Sequence, residues 1–123
     1  MQDILEAANV VVSFEPPHRI LATNVPQNGI LGYCADMLCN RTMQIWHGPS
    51  TDSARLTSAI KNSAFGNTSL ETDLYDCMGS CRKMLIECTP CFDLSSSLVG
   101  CTVAFRSALT DQKVLATVIR ESI

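Results

Sequence analysis

The chain's most reactive side chains are seven cysteines, Cys34, Cys39, Cys77, Cys81, Cys88, Cys91 and Cys101, and two histidines, His18 and His47. Cys77-x3-Cys81-x6-Cys88-x2-Cys91 has the four thiols that a structural zinc site takes. The run carrying Cys81 and Cys88 reads as one strand, however, and an odd separation along a strand places them on opposite faces, so they cannot reach one metal without a bulge. Cys88-Thr89-Pro90-Cys91 has redox-pair spacing, but it closes a strand instead of opening a helix, and the helix N-terminus that lowers a thiol pKa is missing. The odd cysteine count, the 46% hydrophobic content and a start without a secretory pattern point to reduced thiols acting as small hydrophobes, with no metal site. His18, after Pro16-Pro17, and His47, before Gly48, read as backbone-bonded or solvent-edge histidines. Glu71, Asp73 and Asp76 read as solvated strand and turn carboxylates. With no glycine-rich phosphate loop, nucleophile elbow or H-E-x-x-H, no catalysis is expected.

The 123 residues suit one domain with a real core. The net charge is -3, and Lys and Arg are scattered from Arg19 to Arg120 with only Arg82 and Lys83 adjacent, which argues against direct nucleic-acid binding by this segment. No apolar run is long enough to cross a bilayer, and Asp3 and Glu6 stand where a targeting segment would be basic. The expectation is an intracellular chain without membrane insertion, serving as one module of a longer regulatory protein.

The elements that position these groups follow from periodicity. Ile4, Leu5 and Ala8 have helical spacing, and Val10-Val11-Val12 reads as a first strand ended by Pro16-Pro17. Arg19 to Asn24 forms a second. From Val25 to Thr51 the pattern breaks into short pieces, with a brief helix at Ala35 to Leu38. Thr51 or Asp52 caps a helix from about Ser53 to Ser63 whose apolar face is Leu56, Ala59 and Ile60. Leu70 to Tyr75, Cys81 to Pro90 and Leu98 to Ser107 form an antiparallel meander with turns at Met78-Gly79-Ser80 and Asp93 to Ser97. Thr110 then caps a helix carrying Val114, Leu115, Val118 and Ile119.

Leu31-Gly32-Tyr33, then Trp46-His47-Gly48-Pro49-Ser50-Thr51-Asp52, then Gly79, then Val99-Gly100 resemble a PAS domain in order and spacing. The nearest branch holds light-oxygen-voltage (LOV) photoreceptors and the N-terminal domains of ether-à-go-go potassium channels. The resemblance covers roughly Val10 to Ser107. It implies an α+β PAS fold, a five-stranded antiparallel sheet with short helices on one face, with residues 10–107 as the domain and flanking helices at 1–9 and 108–123.

The resemblance also bears on cofactors. LOV domains carry a flavin-reactive thiol in G-x-N-C-R-F-L-Q-G-P. Counted back from Gly48-Pro49, this chain reads Asn40-Arg41-Thr42-Met43-Gln44-Ile45-Trp46-His47-Gly48-Pro49, so Met43 stands at the thiol position. Counted from Gly79, Pro90 and Gly100, the amide side chains that hold the flavin edge are replaced by Leu74, Met84 and Thr102, and Gln44 replaces a phosphate-contacting arginine. Each lost polar partner costs about 1–3 kcal/mol, so flavin is disfavoured. Haem is disfavoured too, because neither His18 nor His47 lies on the helix that supplies the ligand in haem-binding PAS domains. No cofactor is expected.

The same count points Leu74, Met84, Ile86, Cys88, Thr102 and Ala104 inward, with Met43 and Ile45 opposite, lining a cavity that packs solid or holds an apolar ligand. It places Leu85, Val99, Cys101, Val103 and Phe105 on the outer sheet face. An apolar face of that size needs a cover, either Ile4, Leu5 and Ala8 with Val114, Leu115, Val118 and Ile119, or another PAS domain. The expected function is protein–protein association, with itself or another PAS domain, within a basic helix-loop-helix PAS-type transcription regulator. That parent would place it in the nucleus and any other in the cytoplasm. The alternatives are a small-molecule sensor and the regulatory cap of an ion channel or kinase.

Overall fold

The computed structural model describes residues 8–25 and 29–107. Ile4 and Leu5, and Val114, Leu115, Val118 and Ile119 with the helices expected to carry them, lie outside the described residues. Strands β1 (Ala8–Val12) and β2 (Ile20–Asn24) come first, followed by a short helix α1 (Ala35–Leu38), a 3-10 helix (Met43–Trp46) and helix α2 (Ser53–Asn62). Strands β3 (Thr68–Tyr75), β4 (Cys81–Phe92) and β5 (Leu98–Ser107) complete the described residues. They form one five-stranded sheet in the order β2-β1-β5-β4-β3, with every pairing antiparallel. Ala8 is thus the first sheet residue, opposite Phe105, and does not belong to a flanking helix.

Local chemistry accounts for the ends of these elements. Asp52 caps α2 by accepting a hydrogen bond from Arg55 N at 3.1 Å, while Thr51 serves another purpose, donating its hydroxyl to the Asp73 carbonyl at 2.7 Å. One apolar stripe on α2, Leu56, Ala59 and Ile60, is buried. The β3–β4 turn is built by Asp76, whose carboxylate accepts from Met78 N and Ser80 N at 3.0 and 2.8 Å, with Gly79 at φ +86°. Asp93 does the same for the β4–β5 turn, accepting from Ser95 N and Ser97 N at 2.9 and 3.0 Å. Gly100 is dictated by a neighbour: a Cβ there would lie 2.5 Å from the Val12 carbonyl oxygen, so a side chain would push β1 off β5.

The register of β4 against β5 corrects the expected face of the last strand. Met84 lies opposite Ser107, Ile86 opposite Phe105 and Cys88 opposite Val103. Directly paired residues share a face, and the side-chain period is two. Cys101, Val103 and Phe105 therefore point inward with Met84, Ile86 and Cys88, and they are buried core residues, not outer-face ones. Thr102 and Ala104 point outward, are half-buried and line no interior cavity. The physical reason is the alternation within β5 itself. One parity holds Cys101, Val103 and Phe105, the other Thr102, Ala104 and Arg106, and burying each large apolar side chain is worth about 1.5–3 kcal/mol. Counting from Gly100 introduced a one-residue phase error, and on a strand such a slip exchanges the faces.

Candidate functional site

Two regions bear on function: the interior between the helices and the sheet, and the outer sheet face. The 3-10 helix builds the interior. Thr42 precedes it and accepts from Gln44 N at 3.3 Å, which turns Met43 and Trp46 inward, where both are completely buried. The Trp46 indole lies tilted against Phe105, ring centroids 4.9 Å apart, and meets Tyr33 edge-on at 6.4 Å. Leu74 and Ile86 are also completely buried, Met84 is nearly so, and Ile45 is half-buried at the margin of the core. Of the eight expected cavity residues, six are on or beside this core, Cys88 among them, and Thr102 and Ala104 are on the far side of the sheet. Phe105 takes the inward place on β5, so the wall facing Trp46 is aromatic. The Trp46 Nε1 hydrogen is buried without a hydrogen-bond partner.

The histidines occupy the junction between the β1–β2 loop, the 3-10 helix and α2. His18 is buried, and its Nδ1 lies 3.0 Å from the Ser13 carbonyl oxygen and its Nε2 3.1 Å from Thr57 Oγ1. Burial holds its pKa below the ordinary 6.5, an effect opposed by the Ser13 carbonyl and reinforced by Lys61. His47 is likewise lowered from 6.5, first by burial and then by His18, and its Nε2 is buried without a partner. Below pH 6.5 the unfolded chain binds protons that the folded state resists, so stability declines as pH falls through that value and levels off below the folded-state pKa. Thermal melts should show a falling Tm between about pH 7.5 and 5.5, with a shallower slope in His18→Gln. Equal slopes in both proteins would contradict this assignment.

The cysteines divide by face as strand parity requires: Cys81 is exposed and Cys88 is buried. The hydrogen bond that Cys88 shares with Cys101, and then burial, push the Cys88 thiol pKa up, which keeps that thiol protonated, while the same hydrogen bond lowers the pKa of Cys101. Among the described residues no three His, Cys, Asp or Glu side chains are arranged to hold a metal ion.

The middle of the outer face is built mostly of small residues. Ala22, Val11, Thr102 and Thr89 form one row across four strands, and Asn24, Asn9, Ala104 and Glu87 the next. Arg106 and Glu87 pair at 3.4 Å beside them. Leu85 is on this face and half-buried, as expected. Val99 is exposed next to the irregularity that ends the β4–β5 pairing.

No protein-family model matches the chain, and no curated protein sequence matches it. Solved structures do match. The PAS domain of the fruit-fly ELK potassium channel superposes with a TM-score of 0.65 at 15% identity, over 83% of this chain and 86% of that one. The light-state LOV domain of the blue-light photoreceptor Aureochrome1 matches with a TM-score of 0.68 at 18% identity, covering 99% and 96% of the two chains. A PAS domain from Colwellia psychrerythraea gives 0.65 at 20% identity, over 81% and 84%. The chain has the PAS fold. The PAS sheet supplies both regions described above, the helix-covered inner face and the outer one. Among the described residues no helix is long and apolar enough to cross a membrane.

Proposed function

We propose that this PAS domain is a signalling module that acts by protein–protein association, with itself or another PAS domain, inside a larger regulatory protein of the basic helix-loop-helix PAS type. On this reading it is a binding module and not an enzyme, and it works without flavin or haem. The observation that carries the proposal is the uncharged central row of the outer face, Ala22, Val11, Thr102 and Thr89, aligned across four strands. Small, uncharged side chains on a sheet face let a second sheet or a helix approach closely, and the Glu87–Arg106 pair at the side supplies orientation. Support from the interior is chemical: the wall made by Phe105, Met84 and Leu74 offers no polar partner to a flavin edge.

Arg at this row replaces a close contact with a long charged side chain while leaving the core untouched. Thr102→Arg and Val11→Arg are expected to convert an associated species to a folded monomer in sedimentation velocity. Association unchanged in both would overturn the assignment of this face.

A second reading, a small-molecule sensor, is favoured by one observation, the unpaired indole hydrogen of buried Trp46. A bound ligand with a hydrogen-bond acceptor would satisfy it. Native mass spectrometry under reducing conditions separates the two readings. A dimer without added mass supports association, and a monomer with a discrete added mass supports the sensor.

A further inference from the structure

The edge of the sheet at β3 has the geometry of a peptide-docking site. Among the described residues β3 pairs only with β4. At the end of this hairpin Asp76 N donates to Ser80 O at 3.0 Å, so the hydrogen-bonded pairs with β4 fall on even-numbered β3 residues. The odd-numbered ones turn their N–H and C=O away from β4. Asp73 shows this directly, because its carbonyl accepts the Thr51 hydroxyl from outside the sheet. Thr51 thereby closes the edge at Asp73, whereas the backbone groups of Ser69 and Glu71 face outward with no partner among the described residues. Beside them lies a groove of about 390 Å³ between α2 and β3, whose far wall is Arg55, Ser58 and Asn62. Arg55 makes no ion pair among the described residues.

We propose that this edge receives an extended segment of a partner protein as a short additional strand, antiparallel or parallel to β3 and lying between it and α2. Main-chain bonds to Ser69 and Glu71 supply affinity, and the alternating side chains of the added strand supply specificity. Its inward side chains meet Arg55, Ser58 and Asn62, which select a carboxylate or a hydroxyl. Its outward side chains run beside Glu71, which selects a base. The occupant is therefore a segment in which acidic and basic residues alternate. A second copy of this chain is excluded by charge, since pairing two such edges brings the Glu71 and Asp73 carboxylates of the two copies together. This site borders the outer sheet face, where Glu71 lies opposite Leu85, but it uses the β3 edge and not the row of Ala22, Val11, Thr102 and Thr89, so it stands whether or not that row forms a dimer.

The test uses a displayed library of random seven-residue peptides selected on the immobilised full chain. Enriched peptides are expected to alternate acidic and basic positions. Glu71→Pro deletes an outward N–H that the β3–β4 ladder does not use, and should weaken their binding by about tenfold or more. Arg55→Glu, a surface change that leaves the helix cap intact, should invert the inward preference from acidic to basic. Thr102→Arg on the outer face should leave peptide binding unchanged. No enrichment over the bare support would overturn the proposal, as would enriched peptides that bind Glu71→Pro and Arg55→Glu as tightly as the parent.

Discussion

Val103→Glu is expected to unfold the domain or bring it close to unfolding. Val103 is completely buried, opposite Val10 on one side and Cys88 on the other. A carboxylate there has no cation within the core, and an uncompensated buried charge costs about 3–5 kcal/mol, against a total stability of about 5–15 kcal/mol for a domain. Its neighbour provides the internal control. Thr102 is one residue away on the opposite face, and Thr102→Arg should shift stability by less than about 1 kcal/mol. Urea denaturation midpoints for the two variants measure the contrast. A folded Val103→Glu beside an unfolded Thr102→Arg would reverse the face assignment of β5 and with it the outer surface described above.

Trp46→Ala should cost about 3–5 kcal/mol, the range for removing a large buried aromatic. Trp46 is the chain's single tryptophan and joins the 3-10 helix to the sheet through Phe105, with Tyr33 against its edge. Its own fluorescence also reports the loss of a buried environment as the wild type unfolds, so the wild-type curve needs no added label. Trp46→Phe refines the result. It keeps most of the packing and removes the unpaired Nε1 hydrogen, which relieves a desolvation penalty of about 1–3 kcal/mol, so its cost should fall well below that of the alanine variant. A Trp46→Phe midpoint in urea denaturation no higher than that of Trp46→Ala would contradict this account.

Much of the architecture was legible because local physics and tertiary packing agree over most of the chain. Leu56, Ala59 and Ile60 at helical spacing behind Asp52 produce α2 wherever that face is buried. Asp76 with Gly79, and Asp93 with its serines, set two tight turns whose capping bonds are local. Strands on either side of such turns pair as hairpins. The count from Gly79 and Pro90, with the alternation it implies on β3 and β4, placed Leu74, Met84 and Ile86 in the interior, where they are. The same alternation was present in β5, where Cys101, Val103 and Phe105 form the more apolar parity, but counting from Gly100 set it aside. Gly100 is demanded by contact with the Val12 carbonyl, and its position along the strand carries no phase information for the residues after it.

The sequence by itself determined the order of elements, the positions of the turns and the identity of most core residues, because each depends on bonds and periodicities spanning a few neighbours. Only the tertiary structure decided which face of β5 looks inward, that Trp46 closes against Phe105, that His18 bridges Ser13 and Thr57, and that Ser69 borders an open groove. Each of these depends on the register between strands or on two segments meeting across 39 residues, as His18 and Thr57 do. Such long-range pairings are selected by burial over the whole molecule, and no local window contains them.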